Sequence, residues 1–378
     1  METDHEAFKM FDRRLIQNFD WVLLIILLLM AAVSLTNLYS ATYHVRNINR
    51  IHILHKQAYW FIIGFTVFFT MITFNYYVLE RFAYPAYYIL LFLLVLVLFV
   101  GSVKSGSRRW LDIGLFSIEP SELAKISLII LLAKFFSDQH HTGQIKYRIR
   151  DLWQPVLMIA MPAFLILKEP DLGTAIIVIA VSFSMMLFAG IYMKSLLILA
   201  GSGLASAPLI WFHLKKYQQE RILTFLNPEV NIHGAGYHID QSKIAIGSGR
   251  LWGKGFLNST QTRLHFLPEQ HTDFAFSVLA EEWGFIGSVT LLALYLILIL
   301  WSLKIASESK DPFGSFLAVG ISALIFWQAV INIGMVTGIL PVVGIPLILF
   351  SYGGSSIVST MIAMGLLMNI SMRRFMFQ

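Results

Sequence analysis

Apolar residues run through most of this chain in blocks separated by short polar connections. A helix crosses the hydrocarbon of a bilayer in roughly 20 residues. Ten blocks meet or approach that length, at about 21–40, 58–74, 86–101, 119–136, 153–168, 172–191, 195–213, 274–302, 314–337 and 342–370. The pattern predicts an all-α polytopic membrane protein of about ten transmembrane helices. One long polar connection, about 214–273, separates the seventh and eighth spans. Within it Trp252, Phe256, Leu257, Phe266 and Leu267 are interleaved with polar residues, and Tyr237 to Gly247 reads as a short amphipathic helix. The connection is therefore expected to lie ordered on the membrane surface. Residues 1–378 are expected to form a single transmembrane domain without internal repeats.

Composition agrees with that pattern. At 57% hydrophobic and 13% charged, 378 residues carry more apolar side chain than one soluble core can hide. The first twenty residues mix acids and bases and no small-residue cleavage site follows, so the first span is expected to be retained. With the N-terminus inside, the inner connections collect thirteen lysines and arginines against seven in the short outer loops. This bias predicts both termini cytoplasmic and the long connection on the outer side. The chain has no cysteine, so the outer loops owe their order to packing and turns rather than disulfides. A net charge of +6 suits inner-face retention and anionic lipid headgroups, and no nucleic-acid partner is expected. The outer basic set, Arg46, Arg50, Lys56, Lys104, Arg108, Arg109 and Lys168, opposes the usual bias. A pyrophosphate-linked lipid would give it a reason.

Candidate chemistry gathers on the outer side. The stretch Phe266-Leu-Pro-Glu-Gln-His-Thr-Asp273-Phe-Ala-Phe276 ends the long connection and enters an apolar helix, which pins the Asp273 carboxylate at the membrane surface. Ser107-Arg-Arg-Trp-Leu-Asp-Ile-Gly114 precedes Ile118-Glu-Pro-Ser-Glu-Leu-Ala-Lys125, where Pro120 suits a first helical turn and Glu119, Glu122 and Lys125 share a broad face. A charge at bilayer depth costs about 2.5 to 3.5 kcal/mol, so Glu122 and Lys125 should pair, face a polar cavity, or both. Lys168-Glu-Pro-Asp-Leu-Gly-Thr174 places Asp171 either as a helix cap or as a further member of one outer pocket.

Glycine and proline crowd Asn332 to Pro346, with Phe350-Ser-Tyr-Gly-Gly-Ser355 beyond. Irregular backbone at membrane depth survives only against protein or a wet cavity, so a broken or re-entrant element facing the same pocket is expected. Gly247-Ser-Gly249 and Gly253-Lys-Gly255 resemble phosphate-cradling turns without the spacing of a nucleotide site, although their N–H groups could still meet phosphate. His265, His271 and Asp273 lack the spacing of a metal site, and the serines near Tyr352 lack a histidine and aspartate partnership. A flippase or transporter, or a non-catalytic scaffold, would share several of these features. A scaffold leaves the carboxylate held at the surface unexplained, and the product separates a catalyst from a flippase, which only moves lipid between leaflets.

The run from Gly234 to Gly255, the stretch ending in Asp273-Phe and the stretch from Asn332 to Ser355 closely resemble the SEDS family, named for shape, elongation, division and sporulation. The resemblance covers essentially all ten spans. It implies a peptidoglycan glycosyltransferase that polymerises lipid II during cell elongation and releases undecaprenyl pyrophosphate, partnered by a class B penicillin-binding protein within the elongation machinery. Asp273 matches the family's essential carboxylate, Glu122 and Lys125 its charged pair, and Asp171, Arg109 and Trp110 fall on its motifs. Lys56 stands where many members have arginine, which keeps charge but loses bidentate geometry. The implied chemistry casts Asp273 as general base, with Arg109, Lys56, Lys125 and Lys243 as candidate cations for the pyrophosphate. A divalent cation, magnesium or manganese, could assist.

Overall fold

A computed structural model of the chain describes residues 17–43, 49–104, 107–114, 116–143, 146–213, 215–226, 235–264, 266–267 and 270–374. Three helices come first, α1 (Trp21–Tyr43), α2 (Asn49–Thr73) and α3 (Tyr77–Val100). A small sheet then leads into α4 (Pro120–His141), α5 (Trp153–Lys168), α6 (Leu172–Ala189) and α7 (Met193–His213). The long connection holds α8 (Lys216–Leu226), α9 (Ala235–Ser248) and α10 (Thr260–Arg263). Three long helices close the described chain, α11 (Ala275–Glu308), α12 (Pro312–Val336) and α13 (Gly354–Arg373).

Seven described helices are long and apolar enough to cross a membrane, namely α1, α3, α5 with its preceding 3₁₀ turn, α6, α11, α12 and α13. The regions of α2, α4 and α7, also read as spans from the pattern, are helical but outside that group. Helix α4 runs through the bundle almost wholly buried, and α12 and α13 pack against it, while α3 and the part of α11 beyond Gly284 keep most of their residues out of the core. Exposed Tyr88, Phe92, Phe99, Leu296 and Leu300 are the apolar exterior expected of a bundle whose solvent is lipid.

The helical bundle also carries one small sheet. Strands β1 (Ser102–Lys104), β2 (Ser107–Ile113) and β3 (Phe116–Ile118) pair antiparallel in the order β1-β2-β3. Between the two apolar blocks, pairing of each strand with its neighbour satisfies the peptide groups locally. The expected amphipathic helix in the long connection is present as α9, docked through Ser242, whose hydroxyl donates to the Val336 carbonyl at 2.6 Å and lies 2.8 Å from the Ser277 hydroxyl.

The last helix begins at Gly354 rather than near 342, and the residues before it are largely irregular. Their carbonyls are taken by buried side chains from four helices. Asn332 donates to Ile345 O at 2.6 Å, Gln328 to Pro346 O at 3.1 Å, Ser34 to Phe350 O at 2.7 Å and Gln57 to Ser351 O at 3.2 Å, and the Tyr295 hydroxyl donates to Ile348 O. This is how a broken element persists without water. Gln57→Leu orphans the Ser351 carbonyl and the Gly353 N–H that Gln57 accepts at 3.3 Å. It should cost about 1–3 kcal/mol per orphaned group, read as earlier thermal unfolding in detergent.

Helix α11 is broken as well. Gly284 adopts φ 64°, and the turn after α9 fills the gap: Phe285 N donates to Arg250 O at 2.8 Å, and Lys254 N and Gly255 N donate to the Glu281 and Glu282 carbonyls at 3.0 Å. A Cβ on Gly284 would meet Leu251 O at 2.8 Å and Gly249 O at 2.9 Å, so this contact requires glycine. The amides of Lys254 and Gly255 are therefore spent on α11, which removes them from any phosphate cradle.

Candidate active site

Asp273 is half-buried and stands immediately before α11, whose N-cap is Phe274. The N-terminal end of a helix favours a carboxylate through its unpaired N–H groups and its dipole. Asn332, 0% exposed, donates to the Asp273 carbonyl at 3.0 Å as well as to Ile345 O, so one amide fixes the acid's backbone to the irregular segment. Between them lies Gly344, at φ 73°. A Cβ there would sit 3.5 Å from Asp273 Oδ2 and 3.7 Å from Arg221 Nη1. The carboxylate and a guanidinium from α8 thus flank one glycine.

Lys243, exposed on α9, packs over Gly338, where a Cβ would lie 2.8 Å from its Nζ. Thr224 and Phe225 of α8 line the same small cleft. Lys56 is exposed on α2, next to the buried Gln57.

A second polar corner lies behind the irregular segment. Arg109 on β2 donates to Pro170 O at 2.6 Å and pairs with Asp171 at 3.5 Å, while Asp171 caps α6 by accepting from Thr174 N at 3.1 Å. Cap and ion pair are one arrangement. Trp110, on the opposite face of the strand, is half-buried. Gly173 abuts Val343 and Ile345, where a Cβ would meet Val343 O at 2.9 Å, so the Asp171 turn and Asp273 bracket the same segment. Glu122 and Lys125 form a buried pair at 2.8 Å, and Ser359 of α13 donates to the other Glu122 oxygen at 2.9 Å. Their charges are turned to each other and to α13.

The structure also brings in residues that the sequence patterns did not single out. Arg221 stands in a polar stretch without a spacing signal. Glu169 sits in the Asp171 turn, 0% exposed, and among the described residues neither of its oxygens has a hydrogen-bond partner. Burial, then the charges of Asp171 and Glu119, push its carboxyl up to about 9, with Arg109 opposing. Glu169 therefore takes up a proton on folding between its ordinary 4.5 and about 9, so its burial costs more stability as pH rises through that window. Glu169→Gln should melt like wild type at about pH 5 and several degrees higher at about pH 8. An identical pH dependence in both proteins would remove the buried proton.

Among the described residues no three histidines, aspartates or glutamates are placed to hold a metal ion. His265, weighed above for a metal, lies outside the described residues, as do Pro268 and Glu269.

Fold and site together define a multi-pass membrane protein with a carboxylate and a guanidinium beside a broken intramembrane element. The chain belongs to the FtsW/RodA/SpoVE family of cell cycle proteins, whose profile matches residues 19–375. It is 43% identical over 300 residues to the peptidoglycan glycosyltransferase MrdB of Escherichia coli, covering 79% of this chain and 80% of that one. Its fold superposes with a TM-score of 0.80 on a chain of a peptidoglycan synthase complex that coordinates polymerization and crosslinking, at 30% identity over 94% of this chain and 98% of that one. The rod shape determining protein RodA of Thermus thermophilus gives a TM-score of 0.71 at 30% identity, with the same coverage.

Proposed function

We propose that this chain is a peptidoglycan glycosyltransferase that polymerises lipid II on the outer face of the bacterial inner membrane during elongation, working with a class B penicillin-binding protein. The activity is supported by the relatives named for it. The partnership is supported by the synthase complex whose chain superposes on this one. The observation that carries the chemistry is the Asp273 carboxylate facing Arg221 across Gly344.

In the proposed step an acceptor sugar hydroxyl attacks the donor's anomeric carbon. The bond from that carbon to the undecaprenyl pyrophosphate oxygen breaks, the hydroxyl proton passes to Asp273, and the anomeric centre inverts. A positioned base is typically worth about 10² to 10⁴ in rate. Arg221, Lys243 and Lys56 are the cations we assign to the departing pyrophosphate. Arg109, Trp110 and Asp171, with Glu122 and Lys125, form the wall that fixes the pocket. A divalent cation, where used, would enter on the pyrophosphate itself.

Reconstitution with the partner and labelled lipid II, with and without chelator, tests this reading. Long glycan is the expected product, and movement of lipid between leaflets without polymer would overturn it. Arg221→Ala should lower turnover by on the order of 10² to 10³, as loss of a transition-state donor does. Arg221→Lys should recover part of it, since charge survives without the planar fork. Wild-type kinetics in Arg221→Ala would remove the arginine from the site.

A further inference from the structure

At the end of the bundle opposite Asp273, a cavity of about 550 Å³ opens where α4 and α6 end and α12 begins. Its floor is buried and aromatic, formed by Tyr147 and Phe316. Tyr147 is fixed there by its N–H to Gly190 O at 3.0 Å and by the Tyr192 N–H to its own carbonyl at 3.1 Å. On the rim stand His140, Lys146 and Lys310, all exposed. The Lys146 ammonium lies 5.6 Å over the Tyr192 ring. Among the described residues no carboxylate pairs with any of the three, whereas nearby Lys134 and Lys304 both have acidic partners. The one acid in the lining, Asp311, is engaged: it caps α12 through Gly314 N at 2.6 Å and accepts from the Tyr76 hydroxyl.

Two demands meet in this cavity. The rim asks for an anion, and the wall continues through Phe188, 52% exposed on the membrane-spanning α6, onto the lipid-facing surface. Free phosphate would satisfy only the first. A phospholipid with a net negative headgroup satisfies both, with its phosphate diester at the lysines and an acyl chain along Phe188. We infer that this cavity is a binding site for an anionic phospholipid. The helices meeting there carry Glu122, the Asp171 cap and Asn332 toward their other ends.

The test uses the full chain purified into mixed micelles of phosphatidylglycerol and phosphatidylcholine, with retained lipid read by native mass spectrometry. Phosphatidylglycerol should be retained in preference to phosphatidylcholine. The double variant Lys146→Glu with Lys310→Glu should weaken that retention by roughly fivefold per lysine. Lys194→Glu with Lys304→Glu, which reverses two charges outside the cavity, should leave it unchanged. If charge reversal impairs folding, as read by thermal melting, Lys146→Gln with Lys310→Gln replaces it and should still weaken retention. Equal retention of the two lipids, undiminished retention in the cavity variants, or the same loss in the control pair would each overturn the site. Displacement of phosphatidylglycerol by inorganic phosphate would reassign the cavity to a soluble anion and overturn the lipid.

Discussion

Asp273→Asn is expected to abolish glycan polymerisation while leaving the fold and partner binding intact. Asparagine keeps the shape of the side chain and removes its basicity. The structure adds a reason to expect an unchanged fold: Asn332 grips the Asp273 carbonyl, which the substitution retains. Removing a general base costs on the order of 10² to 10⁴ in rate. Labelled lipid II with the partner present, resolved by chain length, measures it. Robust polymer from a folded Asp273→Asn protein would refute the assignment of the base. Loss of activity in Asp273→Asn but not in Arg221→Ala would keep the base and discard only the arginine.

Glu122→Ala should destabilise the bundle more than any other single change considered. Lys125 is 4% exposed, and Glu122 is the partner that neutralises it, at 2.8 Å. Removing that partner leaves a buried cation unpaired, which costs about 3–5 kcal/mol. It also takes the acceptor from Ser359 and so loosens α4 from α13. Thermal unfolding in detergent should begin well below wild type, and turnover should fall with it. Glu122→Gln, which keeps an acceptor for Ser359, should fall between the two. Normal stability with lost turnover would instead make the pair purely functional.

The charged positions were legible as residues but not as partners. Periodicity placed Glu122 and Lys125 on one helix face, and that proximity is local, since three residues apart on a helix are neighbours. Whether the pair would face substrate or another helix depended on Ser359, 237 positions away. For Asp171, a helix cap and a place in the outer pocket were the two readings; the residue caps α6 and also pairs with Arg109, because the hairpin brings that arginine across. The hairpin itself escaped a reading based on long apolar blocks. Arg221 was illegible, since nothing in the wording of α8 reveals that Gly344 will lie beside it.

By itself the sequence determined the solvent and the punctuation. Block length set the helices and the membrane, proline and glycine marked a broken element after Asn332, and motif wording pointed to the family. These properties act over a few residues, through hydrophobic length, missing N–H groups and positive φ. Tertiary structure decided which buried side chains hold the broken segment open, which cation stands across from Asp273, and which charges cancel each other. Those outcomes depend on contacts between residues tens to hundreds of positions apart, and packing fixes such contacts where no local pattern can.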